Sequence, residues 1–451
     1  MSLLPGGSSA ARPQLIRAMN EQLLLDHTRR IGEVSRADLA RISGLSKPTV
    51  SVALANLERA GLVTATGVRT GVPGPAAVLY QVHPEAGFVL GLDVGQQYLR
   101  GAISDLAGTP RATATQRVHA AGGHGLVGEL VQLAQYLLRE SGLTQTDITQ
   151  TVIGSPGVYD RERDVLALPG GLRGWGKPTV LAELREEFGE SLIVENDIDL
   201  AALAERALGH GRDVDSFAFV SVGTGIGMGL VLGGRLHRGA HGAAGEIGFL
   251  PFTEGAGADL KDARKRGALE SAASAAGVVR AARRAGMRGP VTARNVFAAA
   301  DKGDQRAAGV VAQEAILVAK AVCSVVAVAD PALIVLGGGI GQADGFLDAV
   351  AVEVRRVAPV LPELRVSALG ADAVVDGCLA AGVERAWEIV VAGLPGAGAA
   401  SGGRTQLNRR ASVSLPSHPS HATPRAGQVP ILPLPPTDGA TFKIPHGVTG
   451  W

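Results

Sequence analysis

The sequence predicts a small helix-turn-helix module with a strand hairpin, a two-lobed α/β body with mixed sheets, and a disordered tail. Three observations carry that prediction. Two short amphipathic patterns flank a glycine between Ser35 and Leu62. Strand-like and helix-like apolar patterns alternate from about Gly87 to Gly393. From about Leu394 the chain turns rich in Gly, Ser and Pro with little apolar periodicity. A chain of 451 residues exceeds one ordinary core and divides into residues 1–85, 86–393 and 394–451.

The first module begins with Leu15, Met19 and Leu23, which recur every four residues as one helix face does. The run "VSRADLARISGLSKPTVSVALANLERAGLV" follows. Ser35 reads as a helix N-cap, with Asp38 at the capping-box position though shorter than the usual Glu. Leu39 and Ile42 are expected to point inward, and Gly44 to make a tight turn. Ser46 then caps a second helix with an inner stripe of Val50, Leu54 and Leu57. Two short helices joined through a glycine turn form the helix-turn-helix pattern. Ser46, Lys47, Pro48, Thr49, Ser51, Val52 and Asn56 stand off that stripe. They offer hydrogen-bonding, cationic and methyl groups suited to base edges, phosphates and thymine methyls. "LVTAT" and "AVLYQV" read as strands around a Gly/Pro loop, which makes a wing. The competing reading is a helical dimerisation module with a solvated outer face.

In the body, "GFVLGLDVG" and "YLRGAISDL" are neighbouring apolar strands, followed by "ATATQRVH" and a helix from about Gly125 to Ser141. "QTVIGSPGVYD" and "SLIVEND" are further buried strands, and "LAALAERALGH" is helical. "FAFVSVGTGIGMGLVLGGRLHRG" reads as strand, glycine turn, strand. A long helical region fills about 268–330, and "PALIVLGGGIG" is again strand into glycine turn.

Composition limits what such a chain does. Hydrophobic residues make up 46%, enough for a packed interior, whereas aromatics are only 4%, too few for stacking platforms on single-stranded nucleic acid. The net charge of +1 requires any nucleic-acid binding to come from a local patch. Cys323 and Cys378 sit alone in apolar helical context as buried thiols, with no disulfide framework or zinc-ligand spacing. No long apolar leader or uncharged membrane-length stretch occurs, so a soluble cytoplasmic protein is expected.

Chemistry concentrates at three glycine turns and a few carboxylates. "DVGQQY", "GTGIGMG" and "GGGIG" each follow a buried strand. The middle one is a hairpin, in which Gly223, Thr224 and Gly225 are candidates to cradle phosphate. Gly338 in the third is a candidate for close approach of backbone to a nucleotide. Asn196 and Asp197 arrive at the C-terminal end of a strand, where open α/β sheets bind ligands. Asp197 suits a sugar hydroxyl or the role of general base, and equally the capping of the next helix. Glu246, inside "GAAGEIGFLPF", and Glu270 are carboxylates in glycine- and alanine-rich settings. Burying an unpaired charge is costly, so each needs a partner.

The order of helix-turn-helix, "IGSPGVYD", "VENDIDLAALAE", "VGTGIGMGLVLGGRLHRGAHGAAGEIG", "GALESAAS" and "DPALIVLGGGIG" resembles the ROK family of sugar kinases and sugar-responsive repressors. The resemblance spans nearly everything except the tail. It implies an actin-like, hexokinase-type ATPase fold behind a winged helix-turn-helix. It also implies that Asn196, Asp197, Glu246 and Glu270 line a sugar pocket, with Asp197 at the catalytic-base position of the kinases. A homodimer or homotetramer is implied, with double-stranded operator DNA and a sugar or phosphosugar effector as partners, and no membrane.

The chain departs from the family in four places. The first phosphate turn keeps Asp93 and Gly95 but has Gln96, Gln97 and Tyr98 where Gly, Thr and the next residue belong, which impairs ATP cradling. Phe249, Lys261, Ala263 and Ala268 stand where a histidine and three cysteines bind zinc, so no metal or other cofactor is expected. Gly171 replaces a sugar-contacting Asn. The wing lacks the Arg that follows paired glycines, leaving Arg69 as the substitute contact. The expectation is a sugar-responsive transcriptional repressor of carbohydrate genes without kinase activity. The alternatives are a glucokinase-like ATP-dependent sugar kinase and a constitutive DNA-binding protein with a vestigial pocket.

Overall fold

A computed structural model describes residues 11–69, 77–160, 163–167, 171–252 and 267–393. The wing tip, Lys261 and Ala263, and the predicted tail from 394 lie outside them.

The first module is α1 (Ala11–Ile31), β1 (Val34–Ser35), α2 (Arg36–Ser43), α3 (Lys47–Arg59), β2 (Val63–Arg69) and β3 (Ala77–Val82). β3 lies between β1 and β2, antiparallel to both. It is therefore a three-stranded winged helix-turn-helix rather than a lone hairpin. The Ser35–Asp38 capping box forms, Gly44 ends α2 at φ +70°, and Ser46 caps α3. Val50, Leu54 and Leu57 are fully buried, as their spacing predicts.

The four-residue stripe of α1 lies on its exposed side, and one inward expectation in α2 fails. Met19 and Leu23 are exposed, and α1 instead buries Ala18, Glu21, Leu24, Leu25 and Thr28. At about 100° per residue Met19 and Leu23 share one face, and the buried set, spaced by mixed three- and four-residue steps, occupies the opposite one. Ile42 is also exposed, because α2 spans only eight residues and buries Leu39 alone.

The first lobe contains β4 (Phe88–Val94), β5 (Tyr98–Asp105), β6 (Pro110–Arg117), α4 (Gly123–Ser141), β7 (Ile148–Ser155), β8 (Val158–Asp160), β9 (Val165–Ala167), α5 (Pro178–Phe188), β10 (Ile193–Asn196) and α6 (Asp197–Ala207). Its sheet runs β10-β7-β4-β5-β6, parallel among the first three strands and antiparallel beyond.

The second lobe contains β11 (Phe217–Val222), β12 (Ile226–Leu232), β13 (Arg235–Leu236), α7 (Ala268–Ala273), α8 (Ala275–Arg284), α9 (Ala293–Asp301), α10 (Gln305–Ala329), β14 (Leu333–Gly337), the single turn α11 (Gly338–Gly341), α12 (Phe346–Val357) and β15 (Glu363–Val366). Its sheet, read from β15, is β15-β14-β11-β12-β13 and repeats the first lobe's path of two parallel neighbours and a meander. Ser274, Thr292 and Asp304 cap successive helices, so the region expected as one long helical stretch is cut into α7–α10. α10 is long and apolar enough to cross a membrane by length and composition, and its Val318, Ala319 and Val322 lie in the core of this lobe.

The final helix, α13 (Ala373–Ala392), returns to the first lobe and packs on β4, β7 and α6. Gly377 makes this possible: a Cβ there would lie 1.9 Å from the Leu200 carbonyl oxygen. Cys378 is fully buried beside β4, its Sγ 3.5 Å from the Leu92 carbonyl, and Cys323 is buried in α10. The far end of α13 reaches the first module. Trp387 and Ala386 share one apolar core with Leu24, Leu25, Leu54 and Leu57, and the Arg29 guanidinium stacks 5.0 Å above the Trp387 ring.

Candidate DNA surface and ligand crevice

Ser46, Lys47, Pro48, Ser51 and Val52 form the exposed side of α3, as the helical wheel predicts, with Thr49 half-buried. The Ser46 and Thr49 hydroxyls lie 2.8 Å apart, which leaves the cap closed and the cationic and methyl groups outermost. Two predicted contacts are engaged inside the module. Asn56 Nδ2 donates to Glu21 Oε1 at 2.6 Å, and its Oδ1 accepts from Arg59. Asn56 therefore ties α3 to α1 and does not stand free for a base edge. Arg69 Nη1 lies 3.0 Å from Asp38 Oδ2. Hydrogen bonding from Ser35, aided by Arg41 and Arg69, holds the Asp38 carboxyl down at about 2. The Arg69 guanidinium is thus partnered by Asp38, which it shares with Arg41.

The sequence reading misses Ile16, Arg17 and Asn20 of α1, which wall a groove of about 350 Å³ with Pro48, Thr49, Val52 and Ala53. The assumed face of α1 pointed elsewhere, so periodicity gave no signal for them.

Four elements bring the predicted carboxylates together. β10 ends at Asn196, and α6 starts at Asp197. Asn196 is consumed structurally: Oδ1 accepts from the Ile198 and Asp199 amides at 2.9 and 3.0 Å, and Nδ2 donates to the Gly157 carbonyl at 2.9 Å. Asp197, directly beside it, is raised to about 6 by burial, partly offset by backbone amides. Asp93, at the end of β4, is raised to about 7 by burial and by the charge of Asp197, against the pull of Arg100 at 3.2 Å. Glu246 is raised to about 7 by burial, then by Asp197 and Glu270. Gly245 positions it: its φ is +96°, its carbonyl accepts from Met228 N at 2.9 Å, and a Cβ would lie 1.9 Å from the Met228 oxygen. Glu270, on α7, accepts from the Ile226 amide at 3.3 Å.

Carboxylates from both lobes therefore lie near one another, and the charge of Asp197 adds to burial in raising the proton affinity of Asp93 and Glu246. Such a cluster accepts hydrogen bonds from hydroxyl groups when ionised. Asp199, which the sequence reading overlooked, is buried behind the crevice and raised to about 8 by burial and by Glu195, itself bridged to Arg238 at 2.6 Å. Its place two residues after Asp197 on α6 is the only sequence signal for it.

The glycine turns of the second lobe meet. A Cβ on Gly223 would lie 3.8 Å from Gly338 Cα, Gly223 N donates to Gly225 O at 2.9 Å, and Thr224 is exposed at the tip. Gly338 has φ +75°, and a Cβ there would come within 2.5 Å of the Val222 carbonyl oxygen, so packing alone requires glycine. Phe249 is exposed and Ala268 opens α7, and neither side chain can ligate zinc. Among the described residues no group of three or more His, Cys, Asp or Glu is arranged to hold a metal ion.

The ROK family profile matches residues 89–377, well over half of the chain, and a MarR family profile matches residues 20–71. The chain belongs to the ROK family. With ROK membership, the two repeating lobes are the actin-like, hexokinase-type fold, preceded by a winged helix-turn-helix. The xylose repressor of Bacillus subtilis is 25% identical over 235 residues, covering 52% of this chain and 61% of that protein. This ROK chain thus spans about three-fifths of that curated relative. The solved ROK hexokinase of Thermus thermophilus is 31% identical, covers 65% of this chain and 97% of its own, and superposes with a TM-score of 0.56. A solved ROK family transcriptional regulator, a homologue of the E. coli MLC protein, is 24% identical and covers 84% of this chain and all of its own. It superposes with a TM-score of 0.68, and its coverage shows that the likeness of fold extends beyond the kinase-like lobes.

Proposed function

We infer that this ROK protein is a sugar-responsive, DNA-binding transcriptional regulator that represses genes of carbohydrate uptake or catabolism. A sugar or phosphosugar in the crevice releases or modulates it. It works in the cytoplasm as a homodimer or homotetramer, so that paired α3 helices enter successive major grooves of a near-palindromic operator. The name of the Bacillus subtilis relative, a xylose repressor, and the MarR-type module support this reading.

The observation that carries it is the course of α13. Its N-terminal end, beside Asp372, adjoins the Asp93–Asp197 pair, since the charge of Asp372 raises Asp93. Its Trp387 end lies in the core of the DNA module, about 20 Å away at 1.5 Å per helical residue. One rigid rod thus joins a hydroxyl-accepting crevice to the helices that would meet DNA, and a change in lobe closure shifts both ends together.

A second reading, an ATP-dependent sugar kinase, draws on Asp197, whose raised carboxyl suits a general base, and on the kinase relative. Against it stands the first phosphate turn, where Gly95 N is spent on Tyr98 O at 3.1 Å and side chains follow at 96–98. Anisotropy with labelled DNA from the neighbouring promoter, with and without monosaccharides, tests the regulator. Salt-sensitive binding that a sugar alters, and that Lys47→Ala weakens, is expected. Absence of sequence-preferring binding, together with brisk ADP release in the presence of a hexose and ATP, overturns it.

A further inference from the structure

The hydrogen bond from Asn56 Nδ2 of α3 to Glu21 Oε1 of α1, 2.6 Å long, fixes how these two helices lie together. Arg17 stands one turn before Glu21 on α1, with Asn20 directly preceding Glu21, and Val52 stands one turn before Asn56 on α3. The groove of about 350 Å³ between the helices therefore runs beside the N-terminal half of α3, the part that carries Lys47, Thr49 and Val52. Ile16 on one wall and Val52 on the other are both more than half exposed.

The described cations of this module fall into two sets. Arg41 and Arg69 share Asp38, Arg59 donates to Asn56, Arg36 stacks 5.0 Å above the Tyr80 ring, and Arg29 stacks above Trp387. Among the described residues, the side chains of Arg17, Asn20 and Lys47 have no hydrogen-bonding or ionic partner. Arg30 also has none, and it lies about 20 Å along α1 from Arg17 at 1.5 Å per residue. No residue lining the groove is acidic. An apolar trough edged by unpaired cations fits the backbone of a nucleic-acid strand, whose deoxyribose presents C–H faces and whose phosphates take the charge. A second copy of this face would set arginine against arginine with no acid between them, which costs energy.

We propose that the α1–α3 groove seats the sugar–phosphate backbone of duplex DNA, with Arg17 and Asn20 donating to a phosphate while Ile16 and Val52 flank its deoxyribose. The assignment rests on reading the outer side of α3 as the DNA-reading surface. It gives α1 the task of positioning, which sets the register in which Lys47 and Ser51 of α3 meet base edges.

The test is anisotropy of the full chain with two labelled duplexes of equal length, one from the neighbouring promoter and one of shuffled sequence, across a salt series. Arg17→Ala weakens binding to both duplexes by one common factor, about eightfold at 0.1 M salt, because each phosphate contact contributes an exponent of about 0.9 in salt concentration. The salt slope falls by about 1, and Arg17→Lys keeps it. Arg139→Ala, the same charge change on α4 of the first lobe, keeps both affinity and slope, which separates a local contact from the field of the whole molecule. Circular dichroism checks that each variant is folded. An unchanged slope in Arg17→Ala, a loss confined to the promoter duplex, or an equal loss in Arg139→Ala overturns the assignment and leaves the regulator reading standing. Sedimentation velocity of Ile16→Ala without DNA examines the rival occupant. An unchanged mass is expected, whereas a fall in mass shows a second copy in the groove and overturns the assignment. If wild type binds neither duplex at any salt, the DNA-reading surface and this groove fall together.

Discussion

Replacing Glu246 by Gln should stabilise the protein at alkaline pH and, on the proposed sugar-site reading, weaken its ligand binding. The carboxyl is raised from 4.5 to about 7, chiefly by burial and then by Asp197 and Glu270. A group raised in the folded state contributes full stability only below its unfolded value, and that contribution is lost as pH rises through the folded value. At ~1.4 kcal/mol per pH unit, ionised Glu246 costs about 3 kcal/mol above pH 7. Partial solvent screening reduces this to about 2 kcal/mol. Glutamine has the same shape and no charge, so Glu246→Gln recovers that amount at pH 8. At pH 5, where the folded protein holds the proton, the gain falls below ~1 kcal/mol. For a body of this size the pH 8 gain is a rise in Tm of roughly 3–6 °C. Thermal unfolding by circular dichroism at pH 5 and pH 8, wild type against variant, reads it directly. A variant whose Tm is lowered equally at both pH values would show that Glu246 is held by an unseen structural partner, and the account of a strained, ligand-seeking acid would collapse.

Sugar binding should tighten as pH rises from 5 to 8, because hydroxyls donate to ionised Asp93, Asp197 and Glu246, which carry raised values of about 7, 6 and 7. Each obligatory ionisation weakens binding about tenfold per pH unit below its own value, and calorimetry in buffers of differing ionisation enthalpy should register proton release; a flat pH profile contradicts it. Trp387→Phe keeps an aromatic ring in the shared core but removes the 3.0 Å hydrogen bond to Leu106 O. Typical coupling between sites is ~1–3 kcal/mol, so the sugar-dependent change in DNA affinity should shrink toward none while each ligand still binds alone; undiminished coupling speaks against α13 as the link. Because Asn56 bonds to Glu21, Asn56→Ala should lower stability by ~1–3 kcal/mol without altering base preference, whereas a changed operator preference with unchanged Tm would restore it to the DNA surface. Metal analysis of purified protein should find no stoichiometric zinc, and one zinc per chain would mean that the ligands lie elsewhere.

The sequence by itself determined the local structure. Caps at Ser35 and Ser46, the Gly44 turn and the stripe of Val50, Leu54 and Leu57 are set by hydrogen bonding and periodicity within a few residues, and they stand as read. The order of strands, the glycine turns and the carboxylates was legible for the same reason. Which groups are already partnered was decided only by tertiary structure, because partners arrive from distant elements. Glu21 claims Asn56, Asp38 claims Arg69, Gly157 claims the amide of Asn196, and α1 shows solvent the apolar Met19 and Leu23. The likeness of the two lobes appears in their sheet order, since many apolar sequences satisfy the same strand path. The raised carboxyls of Asp93, Asp197 and Glu246 likewise follow chiefly from burial, and a charge has no burial until the chain around it has folded.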